Sequence, residues 1–264
     1  MSVLVWGVPS ESPVALLLAA LERRGADAVV VHSGRPGGTD LRLHADDAAP
    51  LAGVLTVDGR AVAVEALTGA YVRPVEPEIV PGLAGRPAGD PARHHAGLVY
   101  RALSAWAEAA GPLTGAHVAN PLSAMASNTS KPYQAQVIVG HGFGTPRTLV
   151  TDDPDEARAF AADVGEAVYK STSGVRSIVT AFDPVADAPR LDRLRWCPVQ
   201  FQERVRGRDV RVHVVGDRAL AAIVTSEAVD YRYSRAQTGA DARLEPYELD
   251  DDLAARCVAL ATDL

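Results

Sequence analysis

The chain has 264 residues, 47% of them hydrophobic, with 26 basic against 33 acidic side chains and a formal charge of −7. That length accommodates about two domains with real cores. The acidic balance argues against nucleic acid as the main partner, since phosphate neutralisation needs a basic face. No run is apolar and long enough to span a bilayer, and "MSVLVWGVPSESP" lacks the basic start of a secretory signal. No membrane partner is therefore expected. The two cysteines, Cys197 and Cys257, have no metal-like spacing and read as reduced thiols of a cytoplasmic protein.

In chain order, residues 3–8 form a short apolar run that reads as a strand. In "PSESP", Ser12 suits an N-cap and Pro13 the first helical position. "VALLLAALERR" keeps the helical period, and Gly25 fits a left-handed stop. "ADAVVVH" is a second strand, which makes a β-loop-α-β unit of the usual right-handed kind. Gly7 stands alone, so a G-x-G-x-x-G dinucleotide loop has no support. "LAGVLTVDGRAVAVEAL" reads as two strands about Asp58-Gly59, and "GAYVRPV" as a strand ending at Arg73-Pro74. Residues 77–91, rich in Pro and Gly, read as a flexible loop. "ARHHAGLVYRALSAWAEAAG" has a helical pattern with Leu98, Leu103 and Trp106 on roughly one face. His94 and His95 diverge by about 100° on such a helix and read as a surface pair, not a metal site.

A boundary is expected in the turn-rich "ANPLSAMASNTS". It divides 1–119 from a stretch 120–196, with a third part at 197–264. "KPYQAQVIVGHG" reads as a helix capped by Thr129 or Ser130, and "TPRTLVT" as a strand. "DDPDEARAFAADVG" is a helix with Asp153 as cap and Pro154 first in it. "EAVYKS" and "RSIVTAF" are strands. "CPVQFQERV", "DVRVHVVGD" and "ALAAIVTSE" read as an antiparallel meander. In its middle strand, period two buries Val210, Val212 and Val214 and leaves Arg211 and His213 wet. If a strand continues through "AVDYRYSR", Asp230 and Arg232 face the same way. "LDDDLAARCVALATDL" is a helix that runs into Leu264 without a stop signal, so the chain is expected to be cut short there.

Four features bear on chemistry. Lys131 opens a helix, where a cation opposes the dipole. Lys170 ends an apolar strand and precedes the small residues 171–174. A compact ammonium suits phosphate, and small residues let backbone N–H groups approach its oxygens. Phe201 and Val205 bracket Gln202 and Glu203, on a strand that can offer backbone to an adenine edge if it crosses between lobes; Asp209 can then accept from ribose hydroxyls. Arg211 and Arg232 can pair with aspartates or meet oxyanions. Taken singly, a surface lysine accounts for Lys131 and a plain hairpin for the Lys170 stretch more readily than phosphate binding does, and a twisted solvent-facing hairpin accounts for residues 201–217 as well as a base site does.

Taken in order, "SKPYQAQVIVGHGFGTPRTLVT", "VYKSTSG", "FQERVRGRDVRVHVVGDRALAAIVTS" and "DYR" resemble the ATP-grasp superfamily, specifically RimK-like carboxylate–amine ligases. The resemblance covers residues 120–264; residues 1–119 match only in style. Peptide-modifying members, which crosslink ribosomal peptides through lactones or amides, share the P-x-T-L-V-T strand and the Arg-Pro pair. That makes Arg73 a candidate substrate-side residue.

The resemblance implies a mixed α/β and α+β ATP-grasp fold. An α/β pre-grasp domain (1–119) precedes a central small lobe (120–196) and an incomplete C-terminal antiparallel-sheet lobe (197–264). It implies that Lys131 and Lys170 hold the ATP phosphates, with Ser171, Ser173 and Gly174 in the loop over them. Family loops are often richer in glycine, so a less mobile lid is expected. Gln202, Glu203 and Val205 would line the adenine and present hinge backbone, Asp209 would hold the ribose, and Arg211 and Arg232 would sit by the triphosphate or acyl phosphate.

Mg²⁺ is implied as well. The family's metal carboxylates come later, as an Asp or Glu and a Glu-x-Asn, and this sequence has neither; Glu227 and Asp230 are too early, so no metal ligand is assigned. The implied reaction activates a carboxylate as an acyl phosphate and joins it to an amine or hydroxyl. An amino acid or a peptide is a candidate substrate, and a homodimer a candidate assembly. The alternatives are a non-catalytic nucleotide-binding module or partner subunit, and a chain that keeps only the fold.

Overall fold

The computed structural model describes residues 1–44, 51–172 and 177–264, without the side chains of 128 and 129. Contacts divide it into two compact units, Met1–Ala126 and Ser127–Leu264.

In the first unit, β1 (Ser2–Gly7) is apolar and almost wholly buried, as a strand covered on both faces must be. Next comes α1 (Ser12–Arg23). Its cap position is Glu11, not Ser12, and Glu11 makes no capping bond. The Glu11 carboxylate is engaged instead by the Arg73 guanidinium at 2.7 Å. Gly25 follows the helix at φ 63°, the left-handed stop. β2 (Asp27–His32) pairs parallel with β1.

β3 (Thr39–His44), β4 (Ala52–Val57) and β5 (Arg60–Ala63) make a small antiparallel sheet. Asp58 and Gly59 turn its second hairpin with φ of 48° and 83°, the pair of left-handed residues a type I′ turn requires. β6 (Leu67–Val72) leads through residues 77–90 to α2 (Pro91–Thr114), which Asp90 caps by accepting from Ala92 and Arg93. That connection carries a packed turn, with Val80 and Leu83 buried against Ala96. Leu98 is 48% exposed, and Val99 takes the buried place expected for it. β7 (His117–Ala119) completes a parallel sheet of order β2-β1-β6-β7, and the short α3 (Leu122–Met125) ends the unit. Alternation along β1 sends Val3 and Val5 against α1, and Leu4 and Trp6 toward Leu103 and Trp106 of α2.

The second unit begins with α4 (Lys131–Gly140). Its cap residue, Ser130, makes no side-chain capping bond. There follow β8 (Thr148–Thr151), α5 (Pro154–Val164, capped by Asp153 as expected), β9 (Ala167–Ser171), β10 (Thr180–Phe182), α6 (Ala188–Leu191) and β11 (Val199–Glu203). Then come β12 (Asp209–Val215), β13 (Arg218–Thr225), α7 (Ser234–Thr238), β14 (Arg243–Tyr247) and α8 (Asp251–Asp263). No helix among the described residues is long and apolar enough to cross a membrane.

The expected meander is corrected. β11 does not pair with β12; it lies between β9 and β8 in an antiparallel sheet of order β10-β9-β11-β8, while β12, β13 and β14 form a separate sheet. The reason lies in β11's odd positions. Phe201 is 1% exposed and packs on Phe182, Ala157 and Ala161 beneath α5, an apolar bed that the β12 sheet does not offer. The buried valine face of β12 is corrected too: Val210 is 40% exposed and Val212 and Val214 are half-buried, because α8 contributes mostly short or half-buried side chains to this face. The strand expected to carry on through "DYR" stops at Thr225. Asp230 instead caps a single turn, Tyr231–Tyr233, by accepting from the Arg232 N–H.

Candidate functional site

Alternation on β11 creates the site. Its odd residues enter the core described above, so Gln200 and Gln202 face the other way. The register sets Gln200 between Val150 of β8 and Lys170 of β9, and Gln202 between Thr148 and Val168. Above this floor stands α4, and between them opens a cleft of about 740 Å³. Lys131, Lys170, Gln202 and Thr148 line it, with Ile138 and Val150 as apolar walls. The Gln202 amide donates to Thr148 Oγ1 at 2.9 Å.

The electrostatics put cations together. Burial pushes the Lys170 ammonium below the usual lysine range, and the neighbouring charges of Lys131 and then Arg232 push it further; the Asp230 carboxylate opposes them. Thus Lys131 from the start of α4 and Arg232 from the 231–233 turn both come within electrostatic range of Lys170 on β9, although 101 positions separate the first from the last. Such a cluster repels itself unless an anion joins it.

Asp230 holds one side of the cluster. Its carboxylate, 4% exposed, accepts from Arg232 Nε at 2.8 Å, Arg232 Nη2 at 2.6 Å and the Val179 N–H at 3.1 Å. Burial raises this carboxyl, but the Arg232 and Val179 bonds outweigh it and hold the group below the usual carboxylate range. Arg232 Nη2 also donates to the Ser177 carbonyl at 2.8 Å, and Ser177 Oγ to the Ser171 carbonyl at 3.0 Å. Ser177 and Val179 are therefore tied to the 230–232 turn, and Ser177 in turn to Ser171.

The other expected residues separate into groups. Ser171 ends β9 and is exposed, while Ser173 and Gly174 lie outside the described residues. Arg211 donates to the Tyr231 hydroxyl at 2.6 Å, which joins β12 to the same turn. Glu203 points away from the cleft floor: its N–H donates to the Arg147 carbonyl at 2.9 Å, and its carboxylate accepts from the Arg147 N–H at 3.4 Å. Val205 lies beyond the end of β11 and is 70% exposed, and Asp209 opens β12 on the surface; neither lines the cleft. Sequence reasoning missed Gln200 and the fastening role of Asp230. The period-two pattern of "VQFQ" holds a signal for the first, since any face that takes Gln202 takes Gln200.

A second, smaller cavity of about 180 Å³ opens on the opposite face of the same sheet, among Tyr169, Phe182, Leu191 and Phe201. It takes no part in the lysine cluster.

No family model matches the sequence. Among curated proteins, the chain is similar to the alpha-aminoadipate–LysW ligase LysX of Sulfolobus acidocaldarius, at 30% identity over 148 residues, 52% of each chain. The match thus spans about half the length of this curated relative. Among solved structures, the ATP-grasp ligase PsnB complexed with minimal precursor is 29% identical with a TM-score of 0.74, covering 99% of this chain and 82% of that one. The RiPP-associated ATP-grasp ligase of Chryseobacterium gregarium, solved with ADP and a leader and core peptide, shares the fold with a TM-score of 0.77 at 19% identity, over 100% and 82% of the two chains. A lysine-lined cleft beside an antiparallel sheet, on a chain that the PsnB structure covers over 99% of its length, gives this protein the ATP-grasp fold, and its sequence is similar to ligases built on that fold.

Proposed function

We propose that the chain is an ATP-dependent ligase that activates a carboxylate as an acyl phosphate and joins it to an amine or hydroxyl. The observation that carries this reading is the convergence of Lys131 and Lys170 on one cleft floored by two glutamine amides, with the Arg232 charge within electrostatic range of Lys170. Three cations, one of them with a depressed pKa, are a receptor for a polyphosphate. The amides and apolar walls suit a base.

In this reading Lys131 and Lys170 hold phosphates, and Gln202 faces the base. Glu203 fixes the β8–β11 edge through Arg147, while Arg211 and Arg232 approach the transferred phosphoryl group. The chain's own part is positioning and charge stabilisation. Three lobes, 1–119, 120–196 and 197–264, would divide the work. The site lies wholly in the second unit, and Arg73 is proposed on the substrate side of the first. PsnB has been solved with Mg and ADP, and the nucleotide is proposed to arrive here as its Mg²⁺ complex. Among the described residues no three His, Cys, Asp or Glu side chains gather to hold a metal, and Asp230 is taken by Arg232. The described residues do not fit a protein-built metal site. A peptide carboxylate substrate is proposed from the precursor and core peptides named with the solved relatives, and a cytoplasmic setting from the free thiols.

The test is thermal denaturation with ATP and Mg²⁺, followed by ADP release with carboxylate-bearing peptides. A ligand at about 100 times its Kd stabilises by about 2.7 kcal/mol. Lys170→Ala should abolish that stabilisation. A chain that ATP does not protect, or a Lys170→Ala variant protected as fully as the parent, refutes the proposal.

A further inference from the structure

One enclosed hydroxyl in the first unit has nothing to bond. Ser33 follows β2 and is 7% exposed. Its N–H donates to the Gly7 carbonyl at 2.9 Å, yet its Oγ is closed off from solvent without a hydrogen-bond partner. A buried hydroxyl left so is unfavourable, and alanine would avoid the penalty. Ser33 lines a cavity of about 20 Å³ at the carboxyl ends of β1 and β2. That is the end of a parallel sheet at which α/β folds receive ligands. One water-sized group needs about 10–15 Å³, so the cavity has room for a single group of that size.

The surroundings of that cavity favour positive charge. Trp6 of β1 and Tyr100 of α2 line it, with ring centroids 5.2 Å apart. Pro77 lines it too, and a glutamate stands on either side of Pro77 in the chain. Neither Glu76 nor Glu78 pairs with a cation among the described residues. Burial lifts the Tyr100 hydroxyl above its ordinary range, and the Glu76 and Glu78 charges lift it further, so negative potential reaches this wall. His32, also in the lining, brings no proton at Nδ1, which accepts from the Gly34 N–H at 3.0 Å. Aromatic rings attract an ammonium, a hydroxyl oxygen accepts from it, and nearby carboxylates favour its charge. The ammonium is compact enough for the space. We infer that this cavity binds the primary ammonium end of an alkylamine, with Ser33 Oγ accepting from it and Trp6 and Tyr100 flanking it. The site lies within the first unit and does not depend on the nucleotide reading.

The test titrates the full chain at neutral pH with butylamine and with butanol, following the Ser33 amide and Trp6 indole N–H resonances by NMR. Butylamine should move both resonances, and butanol should bind more weakly. Ser33→Ala should weaken butylamine by about three- to tenfold, the worth of one hydrogen bond, while the melting temperature without ligand stays level or rises. A Glu76→Gln, Glu78→Gln double variant should weaken butylamine and leave butanol as it was. If butylamine moves neither resonance, the cavity holds water only and the inference is overturned. Butanol bound as tightly as butylamine overturns it too, since the site would then read the alkyl chain and not the charge. Parent-like butylamine affinity in either variant has the same consequence. A lower melting temperature in Ser33→Ala also overturns it, because the hydroxyl would then have a structural partner.

Discussion

Replacing Asp230 by asparagine isolates what one buried charge does for this site. The side chain keeps its shape and one carbonyl oxygen, but an NH₂ group now faces donors it cannot satisfy. The carboxylate accepts from Arg232 Nε and Nη2 and from the N–H groups of Val179 and Arg232, at 2.6–3.2 Å. Breaking a buried pair costs about 3–5 kcal/mol. Here the Arg232 side chain is 50% exposed, so water takes over part of its solvation, and the expected loss falls to about 2–3 kcal/mol. Urea denaturation measures it, with hydrogen exchange at Val179 to tie the loss to the second unit, because a two-unit chain need not unfold in one step. The folded-state pKa of Asp230 lies below the ordinary carboxylate value of about 3.9. Its stabilisation is therefore complete above that pH and disappears as pH falls through the folded pKa. Parent and Asp230→Asn should differ at pH 7 and converge below about pH 4. Equal urea midpoints at pH 7 would refute the reasoning.

Two more expectations concern the cleft and the first unit. Because burial, Lys131 and Arg232 depress the Lys170 pKa, and phosphate needs the charged form, ATP affinity should decline on the alkaline side at a lower pH than an ordinary lysine would give. Lys131→Ala removes one like charge, so calorimetry across alkaline pH should find that decline moved upward; no movement would mean that the two amines do not sense each other. Gly53→Ala should destabilise the first unit by about 2 kcal/mol or more, because a Cβ there would stand 2.0 Å from the Arg42 carbonyl oxygen. A thermal melt at the parent temperature would exclude that clash.

Local chemistry is what the sequence conveys well. The Asp58-Gly59 turn, the Asp153-Pro154 helix start and the Gly25 stop each need a particular residue at a particular φ or cap, and each is present as read. Lys131 and Lys170, singled out because an ammonium at a strand end or helix start departs from what packing alone asks for, line the same cleft. Partnership between distant strands was not. "CPVQFQERV" carries the same alternation whether β11 pairs with β12 or with β8 and β9, and only the shape of the bed under Phe201 decides it. Asp230 misled for a related reason. Asp-x-Arg fits both a strand with two like-facing side chains and a turn in which the aspartate caps the arginine's N–H, and the capped turn formed here. Gln200 went unread because polarity at a buried position is visible only once burial is known.

The two-sidedness of β11 has an evolutionary corollary. Its backbone is hydrogen-bonded along both margins, so exchanging an even-numbered side chain neither shifts the ribbon nor disturbs the aromatic cluster on which its odd-numbered neighbours rest. Preference for one occupant over another can drift at 200 and 202 while foldability is guarded at 199 and 201. A saturation library over these four positions, sorted once for soluble yield and once for ligand capture, should separate into two non-overlapping pairs.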